Sequence, residues 1–127
     1  MHDREQARAL LRKAREDLQA VEHMLDPEEF SNGVFGFHVQ QTLEKSLKAW
    51  IASKGAEYPF RHDIAELVSL LAKLGEDVAA LRGLARYTPF ALQLRYEDDA
   101  PSPPRLDRRA ALEEARAVVQ RVEKAVG

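Results

Sequence analysis

Gly33-Val34-Phe35-Gly36-Phe37-His38-Val39-Gln40-Gln41-Thr42-Leu43-Glu44-Lys45-Ser46-Leu47-Lys48-Ala49-Trp50-Ile51-Ala52-Ser53-Lys54 is the stretch on which the fold turns. It reads as one helix, starting at Gly33 or Val34 and running to Lys54, with Gly55 behind it as a stop. Projected at about 100° per residue, Phe37, Val39, Leu43, Leu47, Trp50 and Ile51 gather into a wide apolar stripe. Gln40 and Glu44 fall inside that stripe, while His38, Gln41, Lys45 and Lys48 run along its border. Polar side chains in a core-facing stripe are unusual, because burying them without partners is costly.

The flanking segments repeat the helical period. From Asp3 to Leu25, Ala7, Leu10, Leu11, Ala14, Leu18, Val21 and Leu25 form one stripe, with Asp3 as a cap and Asp26-Pro27 as the stop. Pro27 to Gly33 reads as a loop, and Ala56 to Phe60 as a turn built on Tyr58-Pro59. A third helix is expected near Asp63, where Asp63 and Glu66 have capping-box spacing. Ile64, Leu67, Val68, Leu71 and Leu74 supply its buried face, and Gly75 closes it. Glu76 to Leu94 is a less regular helical stretch carried by Val78, Leu81, Leu84 and Ala85. In it Thr88-Pro89 restarts a short turn over residues 89–94. Arg95 to Leu106 is acidic, then proline-rich, and reads as an extended loop. A last helix, from Asp107 to Lys124, buries Ala111, Leu112, Ala115, Val118, Val119 and Val122. With no strand pattern and no repeat, these stripes must bury one another. The expectation is an all-α, antiparallel up-and-down bundle of four to five helices, one domain over residues 1–127.

Composition narrows the function classes. A chain of 127 residues, 45% hydrophobic and 31% charged, has enough apolar material for a core. Having no cysteine, it excludes a disulfide scaffold, thiol catalysis and thiolate zinc. A net charge of -2 disfavours a strongly basic nucleic-acid binder. No apolar run reaches the ~18 residues of a membrane span, and the charged segment from Met1 to Arg15 does not read as a secretory signal. A cytoplasmic location without membrane contact is expected.

Three groups of residues are candidates for chemistry. The strip of His38, Gln41, Lys45 and Lys48 combines imidazole, amide and ammonium donors that suit a phosphate or a base edge. The plainer alternative is a solvated face with a Glu44–Lys48 ion pair at i, i+4. Arg61-His62-Asp63 heads the third helix, where anions are favoured and His62 could move a proton; alternatively these residues only cap the helix. Arg95-Tyr96 could clamp a base, or tie a loop to the bundle. His2, His23, His38 and His62 have no ligand-pair spacing and the serines no nucleophile motif, so neither a metal nor a cofactor is expected. Phe35, Phe37, Trp50, Tyr87 and Phe90 are more apolar surface than one small core needs, which points to an interface between copies.

The sequence resembles the HEPN domain family (higher eukaryotes and prokaryotes nucleotide-binding). The resemblance rests on Phe37-His38-Val39-Gln40-Gln41, then Glu44-Lys45-Ser46-Leu47-Lys48-Ala49, then Pro59 with His62-Asp63 before a leucine-rich helix, then Leu94-Arg95-Tyr96 with its acidic follow-on. It spans nearly the whole chain. It implies an all-α bundle that dimerises and binds nucleotide or RNA, and its motif carries over to Phe37, His38, Gln40, Gln41, Glu44 and Lys45. The polar strip beside the apolar stripe adds the expectation that His38, Gln41, Lys45, Lys48, His62 and Arg95 converge on one phosphate-accepting cleft. It also implies a minimal nucleotidyltransferase partner in a toxin–antitoxin-like pair. Many members of the family are metal-independent endoribonucleases that use an Arg and a His four to six residues apart. This sequence has no such pair: Arg15 and His23 are too far apart, Arg61 and His62 are adjacent, and Tyr96 to Arg105 holds no His after Arg95. Binding therefore leads. The alternatives are a divergent endoribonuclease using His38 or His62, and a structural dimerisation module whose polar strip is an interface; a buried hydrogen-bond network between helices or subunits would also explain Gln40 and Glu44.

Overall fold

The computed structural model describes residues 2–93 and 106–127. Its helices are α1 (His2–Glu22), α2 (Asn32–Ser53), α3 (Ile64–Lys73), a 3₁₀ helix (Ala79–Tyr87), α4 (Phe90–Gln93) and α5 (Arg108–Val126). No strand occurs among the described residues. This is the all-α bundle that the stripes require. Arg95, Tyr96 and the acidic, proline-rich loop lie outside the described residues.

The helix ends follow local chemistry. Ser31 opens α2, its hydroxyl accepting from the Val34 amide at 3.2 Å, so the helix begins just ahead of the expected Gly33. Gly55 leaves it with φ at 76°, the left-handed conformation that a helix stop uses. Asp63 caps α3 through the Glu66 amide, and Asp107 caps α5 through the Ala110 amide. Two assignments change. α1 already includes Asp3 in its first turn, where the carboxylate favours the dipole without capping, and it ends at Glu22 before Asp26-Pro27 is reached. The Thr88 hydroxyl accepts from the Ile64 amide at 3.2 Å, so it serves the start of α3 and not the short helix that follows it.

α2 touches α1, α3, the 3₁₀ helix, α4 and α5. It is the central helix, and Phe35, Val39, Leu43, Leu47 and Ile51 are fully buried along it. Its encirclement explains why the polar members of its stripe are buried too. α1 and α5 close one side, burying Ala7, Leu11, Ala14, Val21, Ala115, Val119 and Val122. The 3₁₀ helix packs on α3, with Arg86 and Tyr87 both reaching Glu114 of α5 and the Arg121 guanidinium 4.8 Å from the Trp50 ring centroid. Burial and the Glu114 carboxylate push the Tyr87 hydroxyl well above the usual tyrosine range, against the pull of Arg86.

Of the five aromatics that composition assigns to an interface, Phe37 is half-buried and the other four do not spill outward. Phe35, Trp50, Tyr87 and Phe90 are each at most 5% exposed within the single chain. Cation–π contacts and a fitted glycine make the room: Arg108 covers Phe35, Arg121 covers Trp50, and Phe90 lies where a side chain on Gly36 would be. These four residues therefore lend no support to an interface. No described helix is long and apolar enough to cross a membrane.

Candidate functional site

The polar strip of α2 is organised around two carboxylates. The first, Asp17, comes from α1 and lies about one turn from both Ala14 and Val21, on the same side of the helix. Its Oδ1 lies 3.1 Å from His38 Nδ1, and its Oδ2 accepts from Lys45 Nζ at 2.6 Å. The second, Glu44, is almost completely buried. It accepts from Gln40 Nε2 at 2.7 Å and from Lys48 Nζ at 2.8 Å, and His62 Nδ1 lies 2.9 Å away. Gln41 Nε2 donates to Gln40 Oε1 at 2.7 Å, adding one more member to the Glu44 network.

These contacts place five of the six predicted residues. His38, Gln41, Lys45 and Lys48 follow one flank of α2 over about 15 Å, and His62 reaches that flank from the residue just before the α3 cap. Gln40 and Glu44 form the buried network inside the stripe. Arg95 lies outside the described residues. Each placed cation meets a carboxylate, so Lys45 and Lys48 balance Asp17 and Glu44 in formal charge. Each ammonium spends one of its three donors on its carboxylate; Lys45 is partly exposed, whereas Lys48 is nearly buried beside the Tyr58 ring.

Glu44 holds its charge through a contest. Burial alone pushes its carboxyl up; hydrogen bonds from Lys48, Gln40 and His62, with the Lys48 charge, overcome that and hold it below the usual carboxylate range. His62 is more than half exposed, with Nδ1 turned to Glu44. The inner carboxylate thus orients an imidazole whose other nitrogen is available to solvent.

Three residues of this region are not singled out by sequence reading. Asp17 could have been suspected from its register: it stands three residues after Ala14, as Leu10 stands after Ala7, so a carboxylate occupies an inward position. Arg108 is buried at the start of α5 and donates to the carbonyls of Met24 and Phe30, both at 2.6 Å, and to Asn32 Oδ1. A cation in a helix's first turn opposes the macrodipole, which signals specific acceptors. Burial lowers its pKa against the opposing charge of Asp26. Phe60, before Arg61-His62, stands almost wholly in solvent. Among the described residues no three His, Asp or Glu side chains group so as to hold a metal ion.

An encircled central helix thus carries a carboxylate-anchored row of imidazole, amide and ammonium groups along one flank of an all-helical bundle. The family model for the HEPN domain matches residues 7–125, and the chain belongs to that family of nucleotide- and RNA-related helical modules. Comparison with curated proteins and with solved structures gave no match.

Proposed function

We propose that this chain binds nucleotide or RNA through the flank of α2, as a homodimer paired with a minimal nucleotidyltransferase in a toxin–antitoxin-like system. One observation carries the binding reading: Asp17 and Glu44 fix His38, Lys45, Lys48 and His62 in place before any ligand arrives. Donors held by a rigid helix and a second set of hydrogen bonds lose little freedom on binding, which is where preorganised sites gain affinity. Gln41 continues the row between them, and Arg95 belongs to the same proposed set. Family membership supports the ligand class, and the pairing and the dimer follow from the same resemblance.

Titration of the full chain with ATP, GTP and a short single-stranded RNA tests the reading. Saturable binding of at least one ligand is expected, weakened roughly tenfold or more by Lys45→Ala, since a charge-assisted hydrogen bond contributes about 1.5–3 kcal/mol. Absence of binding by all three, or unchanged affinity in Lys45→Ala and His62→Ala alike, overturns it. Sedimentation equilibrium should return twice the 14.4 kDa of one chain.

The orientation of His62 by Glu44 favours one second reading, a metal-independent endoribonuclease with His62 as general base. It predicts RNA cleavage in EDTA that is lost in His62→Ala.

A further inference from the structure

Phe60 is 96% exposed, the single large apolar side chain left in solvent among the described residues. It contributes nothing to the core, and Pro59 on one side with Arg61-His62 on the other fixes its setting. The ring stands edge-on to Tyr58, with centroids 6.4 Å apart and planes at 67°. Tyr58 is itself braced: its hydroxyl accepts from Gln6 Nε2 at 2.8 Å, and Lys48 Nζ lies 5.4 Å from its ring centroid. A cavity of about 390 Å³ opens between this loop and the start of α1, with Phe60 and Tyr58 as aromatic walls and Asp3, Gln6 and Glu57 among its polar lining. On the other side of Phe60 in the chain, the Arg61 and His62 side chains are 76% and 57% exposed.

An aromatic face in water next to two cationic or ionisable donors suits an unpaired nucleotide, whose base stacks while its phosphate takes the donors. A free phosphate has no use for the ring. A second protein chain would be expected to bury a wider apolar area than one phenyl group. The carboxylates of Asp3 and Glu57 add selectivity. Ionised, they only accept hydrogen bonds, so they favour a base edge with an exocyclic amino group and oppose the carbonyl that uracil presents in its place.

The geometry points to Phe60 as the stacking platform for an unpaired base of single-stranded RNA, with the base at the Tyr58 cavity, the phosphate toward Arg61 and His62, and amino-bearing bases preferred over uracil. This rests on the nucleotide reading above and adds to it the ligand's base, a residue and a preference.

The test uses the full chain with labelled oligo(C), labelled oligo(U) and inorganic tripolyphosphate. Oligo(C) should bind several-fold more tightly than oligo(U). Phe60→Ala should weaken oligo(C) roughly tenfold while leaving tripolyphosphate affinity, melting temperature and oligomeric mass unchanged. Phe60→Trp should bind like the wild type, and its fluorescence should be quenched by oligo(C) above the background of buried Trp50. Glu57→Gln with Asp3→Asn should narrow the gap between the two oligonucleotides. Unchanged oligo(C) affinity in Phe60→Ala overturns the platform, and a change of mass in that variant at unchanged affinity assigns the ring to self-association instead. Equal binding of the two oligonucleotides by the wild type overturns the preference. If the wild type binds neither oligonucleotide nor tripolyphosphate, the reading of the site as a phosphate-ligand site fails with it; if tripolyphosphate alone binds, only the platform fails.

Discussion

Glu44 remains a carboxylate in surroundings that disfavour one. Burial raises its pKa, and Lys48, Gln40 and His62 together lower it further than burial raises it. Its folded value therefore lies below its unfolded one, and the stability it confers is present above the ordinary carboxylate range, about pH 4.3. That stability disappears as pH falls through the folded value. Glu44→Gln should cost about 3 kcal/mol at pH 7, chiefly by stranding the Lys48 ammonium in a nearly buried position. Urea denaturation of the two proteins from pH 7 down to pH 3 should show the gap closing, because the wild-type carboxyl becomes neutral as well. A gap that stays constant across that range would mean that Glu44 titrates alike in the folded and unfolded protein, with no lowering by its partners. The polarity of Gln40 and Glu44 inside an apolar stripe is visible in the sequence. Asp17, the partner of His38 and Lys45, shows only in its register, because a carboxylate beside Leu18 looks like any edge of an amphipathic helix until α2 is laid against it.

At the scale of elements, α2 and α5 are legible to within two residues at each end, since caps and glycine stops bracket uninterrupted stripes. The segment after Gly75 is not, and the reason is its period. Val78, Leu81, Leu84, Tyr87 and Phe90 are all buried at a strict spacing of three. An α-helix alternates threes and fours, whereas a 3₁₀ helix stacks every third side chain on one face. A run of threes therefore specifies the tighter helix that is found over Ala79–Tyr87. Its last buried member, Phe90, meets α2 at Gly36, where an added Cβ would lie 2.2 Å from the Phe90 ring. Gly36→Ala would gain up to about 1 kcal/mol of helix propensity and lose more to overpacking, about 1–3 kcal/mol. The ring has little room to retreat, being 5% exposed and packed by Tyr87. A lowered melting temperature is expected, recovered in part by adding Phe90→Leu. A Gly36→Ala protein as stable as the wild type would show that the ring can move aside.

For the whole molecule, the net charge of -2 conceals a division of labour. The bundle was legible because every helix carries one stripe, and a chain of stripes has few ways to bury them. The pairing of the charges was not legible, because it joins residues as far apart as Asp17 and Lys45, or Glu44 and His62, which only the packing brings together. That pairing bears on how binding should respond to ionic strength. A protein whose cations stand free in solution takes up phosphates by expelling the small ions condensed on the nucleic acid, and its affinity collapses as salt is added. Here Lys45 and Lys48 already carry resident anions built into the fold. An incoming phosphate exchanges with, or shares, a carboxylate and leaves the local charge balance almost as it was. Log affinity for single-stranded RNA against log salt should accordingly be shallow, near the slope of about −0.7 that one phosphate contributes, with Arg61, 76% exposed and only loosely paired with Glu66 at 3.9 Å, as its source. A slope several times steeper would require Lys45 and Lys48 to leave their carboxylates. Affinity that persists into high salt would be the outward sign of two acids fixed inside the bundle.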